Sequence, residues 1–245
     1  MTETTPHLAP VVVLLFLGAV FLTAVSLLVL LYGRARRSKL YARIGGGAAA
    51  MVVAGYGLVL CGVSLASSEK ILPVGGWKYF CEIDCHIGYS VSGVETTGAI
   101  GPETGQTSAR GQFVVVRLKV WFDEHTISRN RGDGPLTPNR RRVVLLDAHG
   151  RAYAPSPEGE AALVRVAGQA GSLGEPLRPG QSFEKDVVFD VDKDASALRL
   201  LITEDDPETV LIIGHENSLW HRKIYLDLDS APRITREISP LAPGH

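Results

Sequence analysis

Two uninterrupted apolar stretches open the pattern, and most of the chain beyond them alternates. Residues 11–32, VVVLLFLGAVFLTAVSLLVLLY, and residues 44–66 contain no acidic or basic side chain. Either run, at 1.5 Å per helical residue, is long enough to cross a bilayer core of ~30 Å. The pattern therefore predicts transmembrane helices at 11–32 and 44–66 with a loop at 33–43. In the second run, Gly46, Ala50 and Ala54 fall on one helical face. That small-residue spacing suits close packing against the first helix.

Past residue 70 the period drops to two. FVVVRLKVWF sends Val114, Val116, Leu118, Val120 and Phe122 to one side and Val115, Arg117, Lys119 and Trp121 to the other, as in a half-buried strand. VVLLDAHGRAY reads as a hairpin turning at 147–150, and PLRPGQSFEKDVVFDV as a Pro179-Gly180 turn followed by Val187, Phe189 and Val191 at alternate positions. LRLLIT, TVLIIG and KIYLDL supply further short strands, while residues 156–166 suit one short helix. The glycine-rich stretches 98–111 and 131–139 read as loops, and 230–245 as an extended tail. Short strands between turns predict an all-β immunoglobulin-like sandwich over residues 71–229.

Charge orients this arrangement. The connector GRARRSKLYAR holds Arg34, Arg36, Arg37, Lys39 and Arg43 and no acid, which the positive-inside rule assigns to the cytoplasm. Residues 1–10 and the sandwich then lie outside. The leader carries Glu3 and lacks lysine and arginine, unlike a cleaved signal peptide, so the first helix is expected to stay as an anchor. With 25 basic and 26 acidic residues, the chain has no basic footprint for nucleic acid.

The succession GQFVVVRLKVWF, VVLLDAHGRAYAP, PLRPGQSFEKDVVFDV and ALRLLI, spanning roughly residues 111–227, resembles bacterial exported immunoglobulin-like domains of unassigned function, related in fold to small secreted mycobacterial antigens. The resemblance implies a sandwich outside the bacterial cytoplasmic membrane and brings no catalytic residue. A two-pass anchor bearing such a domain reads as a binding or assembly module, with a protein partner in the cell envelope.

The densest chemistry is CEIDCH, with Cys81, Cys85 and His86. From Trp77 to Val91 the residues alternate without a break, which favours a straight strand placing both cysteines on one face as packing. Such a strand holds them about 13 Å apart, beyond the roughly 7 Å a disulfide tolerates. A bend would gather the thiols instead, as a disulfide or around copper or zinc. His215, Glu216 and His221 in GHENSLWH, expected on a hairpin loop between TVLIIG and KIYLDL, could complete such a set. The Cys-x3-Cys spacing, two helices and an outer sandwich also resemble subunit II of cytochrome oxidases, but that family's later histidine and methionine positions are Tyr89 and Ser92 here. The alternative function is therefore a copper-dependent electron-transfer or metal-delivery domain.

Asp190, Asp192 and Asp194 have calcium-loop spacing, yet Ala195 and Leu201 stand where that loop needs glycine and glutamate. The chain also lacks the glycine-rich phosphate cradle, the nucleophile elbow and the zinc-protease motif. No reaction is named by the sequence.

Overall fold

The computed structural model describes residues 9–82, 85–102, 105–167 and 173–234. Two long helices come first, α1 (Ala9–Ala35) and α2 (Lys39–Ala66), packed as a hairpin. Both are long and apolar enough to cross a membrane, with mean hydropathy of 2.8 and 2.0. Their contact is made by Gly45 and Ala49, which are buried, whereas Ala50 is exposed. The small-residue face is thus one position away from the expected Gly46, Ala50 and Ala54. A Cβ on Gly45 would stand 2.4 Å from the Leu30 backbone nitrogen, so only hydrogen fits there.

The rest of the chain forms two sheets packed face to face. One contains β1 (Lys70–Leu72), β9 (Ile224–Asp227), β8 (Arg199–Glu204), β5 (Arg141–Leu146) and β6 (Ala152–Tyr153), in that order. The other contains β2 (Lys78–Cys81), β3 (His86–Ile100), β4 (Thr107–Asp123) and β7 (Ser182–Val191). Neighbours pair antiparallel except β1 with β9, which run parallel. The three-residue β1 follows α2 closely and so ties the sandwich to the helices; its KIL carries too little pattern to be read as a strand.

Strand β4 behaves as its alternation predicts. Val114, Val116, Leu118, Val120 and Phe122 enter the main core with Phe189, Leu200, Ile202 and Leu226. The opposite face is also buried at Phe113 and Val115, because α3 (Pro157–Ala167) lies over it through Ala162 and Leu163. Ser156 starts that helix: its hydroxyl accepts a hydrogen bond from the Gly159 amide at 3.1 Å, and Pro157 takes the first helical position. The β5–β6 hairpin turns at 147–150 as expected.

One loop expectation and one strand expectation are corrected. Most of 98–111 is strand, since β3 and β4 run on as one long ribbon to Ile100 and from Thr107. TVLIIG is not a strand; Pro207–Leu211 forms a 3-10 turn, followed by tight turns through residue 221. Proline fixes φ and removes a donor there, and the Thr209 hydroxyl bonds to the Asp206 carbonyl. After a turn closed by the Ala231 amide on the Leu228 carbonyl, residues 232–234 lie along β3: the Val94 amide donates to the Pro232 carbonyl at 2.9 Å, and that of Ile234 to the Val94 carbonyl at 3.0 Å. Gly93 permits this approach, because a Cβ there would meet Ile234 at 2.6 Å.

Candidate functional site

The straight strand expected through CEIDCH does not form. The chain reverses between Cys81 and His86, which face each other across the β2–β3 hairpin, and the Glu82 amide donates to the Cys85 carbonyl at 2.8 Å to close the turn. Directly opposed residues share a face. Lys78 and Tyr89 therefore share the inner face, as do Phe80 and Ile87, while Tyr79, Cys81 and His86 lie on the outer one. Cys85 follows the parity of Ile87 and is buried in the main core, so the two cysteines sit on opposite faces. Ile83 and Asp84 lie outside the described residues.

The turn brings in charges from distant parts of the chain. Glu82 accepts from the Arg141 guanidinium and from the Asn139 amide, the latter at 3.3 Å. Arg141 is fully enclosed, with the Phe80 ring 4.4 Å from its guanidinium carbon and the Tyr89 ring at 5.9 Å. Its other nitrogen lies 3.9 Å from Glu204. Arg141 thus joins β5 and β8 of one sheet to the β2 hairpin of the other.

Beside it, Lys78 is also fully enclosed. Its ammonium contacts Glu216 at 2.7 and 2.8 Å and donates to the Ile224 carbonyl at 2.8 Å. Glu216 accepts in turn from the Ile224 amide at 2.8 Å. Burial, opposed by Glu216, lowers the Lys78 ammonium to about 8. Burial likewise raises the Glu82 carboxyl, against the pull of Arg141, and pushes the Tyr89 phenol up to about 12.

His215 completes the cluster. Its Nδ1 accepts from the Asn217 amide at 3.0 Å, which leaves Nε2 to donate to Glu204 at 3.2 Å. Burial opposes ionisation of Glu204, but the bond from His215 and the charge of Arg141 hold its carboxyl low.

The six residues picked from the sequence are consequently spread over several places. His215 and Glu216 belong to this inter-sheet cluster, Cys85 to the core, and Cys81 and His86 to the outer face of the hairpin. His221 is half-buried, with Nδ1 2.7 Å from the Arg222 carbonyl oxygen. Among the described residues, the acids and imidazole whose ligand atoms converge are Asp123, Glu124 and His125, and none of the six is among them. The sequence reading missed Lys78, Glu82, Arg141 and Glu204. One signal was present: a lysine between Trp77 and Phe80 in an otherwise apolar-rich strand.

A second feature adjoins the cluster. A groove of about 800 Å³ runs beside β5, lined by Arg140, Arg142, Val144, Ala154, Lys185 and Val187 among others. Among the described residues, strand β6 pairs only with Leu145 and Leu146, so 141–144 have a strand partner, β8, on one side alone. Across the groove, among the described residues β7 pairs with a strand only on its β4 side, and its other edge is bridged by Pro155 to Phe189 and by the Ser156 amide to the Val188 carbonyl. Two strand edges therefore border the opening, and its walls carry Arg140, Arg142 and Lys185 against Glu160 and Asp205.

A sequence model described as "Domain of unknown function (DUF4352)" matches residues 84–209, just over half of the chain. No curated protein matches it. Among solved structures, the chain is similar to a conserved hypothetical protein from Bacillus anthracis (17% identity, 51% of this chain and 86% of that one, TM-score 0.39). It is also similar to the secreted protein MPT63 from Mycobacterium tuberculosis (13% identity, 66% and 99%, TM-score 0.39). A third is an uncharacterized beta-sandwich protein from Clostridium difficile (8% identity, 66% and 96%, TM-score 0.38).

Proposed function

The chain belongs to the DUF4352 family, and on that premise we propose that it is a two-pass protein of the bacterial cytoplasmic membrane whose outward sandwich works as a binding or assembly module. Its guest is an extended segment of another envelope protein, added as a strand along β5. The observation carrying this reading is the one-sided pairing of residues 141–144 beside the groove. A strand edge offers main-chain donors and acceptors in register, and pockets along it select side chains. Arg140, Arg142 and Lys185 favour a guest bearing acidic side chains.

Membrane anchoring is supported by the exposed apolar flanks of α1 and α2, including Leu14, Phe21, Leu28 and Leu58. The acid-free connector with its five basic residues supports the orientation.

Photo-crosslinking tests the reading in intact membranes. A photoreactive residue at position 142 or 185 should give a discrete adduct that maps to an extended segment of an envelope protein. The adduct should be lost when Arg140 is replaced by glutamate. Adducts that arise only from distant positions such as 193, or a loss of bound copper or zinc when Cys81 and Cys85 become serine, would overturn the binding reading.

A further inference from the structure

The segment 207–222 is locked to the sandwich from behind and apolar in front. Behind, Glu216 pairs with Lys78 and His215 with Glu204, while the Asn217 side-chain amide donates to the Glu204 carbonyl at 2.8 Å and, within the segment, to the Thr209 hydroxyl at 2.9 Å. In front, Val210, Leu211, Leu219 and Trp220 are 40%, 50%, 51% and 60% exposed. Trp220 adopts a φ of 63°, a left-handed conformation unusual for a bulky side chain. A strained turn thus holds a large indole outward.

This face lies against α2. The Tyr56 hydroxyl donates to the Leu211 carbonyl at 2.7 Å, the Arg222 amide donates to the Ser67 hydroxyl at 2.8 Å, and Gly214 packs beside Val63. Tyr56 stands ten residues before Ala66, where α2 ends, a rise of ~15 Å. The tip is therefore continuous with the exposed apolar side chains Val59, Val63 and Leu65 of that helix. A loop carbonyl at such depth needs a donor from protein, since lipid offers none. Tyr56 supplies one.

We propose that Leu219 and Trp220, beside the Arg222–Ser67 contact at the end of α2, are seated in the outer boundary between headgroups and acyl chains of the membrane that α1 and α2 cross, with Leu211 reaching deeper along α2. The proposal rests on the two-pass reading. Tryptophan favours that boundary because its ring is apolar and its N–H wet. His221 and Arg222 follow at once, placing polar groups where headgroups begin. Asp205, Asp206 and Glu208 stand against Arg222 and Lys223 along the same stretch, so the attraction is apolar and insensitive to anionic lipid.

The test uses the full chain in bilayer nanodiscs whose lipids carry bromine near the headgroup end of the acyl chain. The chain has three tryptophans, and Trp77 and Trp121 pack together at 5.3 Å within the sandwich as an internal reference. The emission component removed by Trp220→Phe should be largely lost in the bromolipid, since an interfacial ring lies beside the bromine, with no dependence on anionic lipid. Resistance of the chain to alkaline extraction is read in parallel. Extraction would overturn both the anchoring and the proposal. Retention with Trp220 unquenched overturns the interfacial seating alone, as does an emission that responds to protein density in the bilayer and not to bromine, which assigns the tip to a second copy.

Discussion

Strand β5 carries a cluster of charges at each end, and the two differ in kind. At one end Arg141 sits with Glu82 and Glu204, close to Lys78 and Glu216, all enclosed or nearly so. At the other, about 20 Å away along the strand, Arg151 fans out to Asp147, Asp192 and Asp194 at 2.6, 2.8 and 3.0 Å. Asp192 and Asp194 are exposed and Arg151 partly so, while Asp147 is buried but also accepts from the His149 and Arg151 backbone amides at 2.9 Å. The fan closes a turn; water would replace much of what its pairs to Asp192 and Asp194 supply, and the backbone amides would still hold Asp147. In the enclosed cluster, water is not at hand, so losing one partner leaves a charge stranded. Similar side chains are thus adjustable at one end and indispensable at the other.

The largest break in that contrast should come from Glu216→Ala. Stranding the Lys78 ammonium is expected to cost about 3–5 kcal/mol in denaturant unfolding of the full chain. Replacing Lys78 with methionine and Glu216 with leucine together should restore most of that loss, because the uncompensated charge is gone. The double variant still lacks the acceptor for the Ile224 amide, so recovery falls short of complete. Arg141→Met should follow at roughly 3 kcal/mol, since it leaves Glu82 and Glu204 facing each other while keeping the packing against Phe80.

A pH scan sharpens the same point with a smaller effect. The Lys78 ammonium titrates at about 8 when folded, against an ordinary 10.5. Between those values the unfolded chain holds the extra proton, so folding stability should rise with pH across the window. Lys78→Met should flatten the rise, and a wild-type curve with no upward slope there would refute the buried lysine. Smallest of all, Arg151→Ala should lower the melting temperature slightly and in a salt-dependent way. A loss as large as that of Glu216→Ala would erase the distinction between the two ends.

Much of the sandwich was legible because its signals are local. Alternation in β4, the glycine turn after Asp147, and Ser156 with Pro157 at the start of α3 each act within a few residues. The CEIDCH reversal escaped notice because its turn contains neither glycine nor proline. Phe80 and Tyr79 also put apolar side chains on both faces of β2, so the change of parity left no trace. TVLIIG has the composition of a strand, but Val210 and Leu211 turn outward beside α2, and among the described residues no strand pairs with them. The cluster itself was out of reach for a simpler reason. Lys78 meets Glu216, and Glu82 meets Arg141, across separations of 138 and 59 residues, and no local pattern encodes such a meeting.

One consequence of Arg141 concerns the cost of recognition. A flexible sheet margin must be immobilised when a visiting strand zips onto it, and that lost freedom is subtracted from the affinity. Here the margin is already braced from the rear, because the same residue that borders the opening is clamped to the opposite layer of the sandwich. On the proposed strand addition, the visitor alone would give up its disorder on docking.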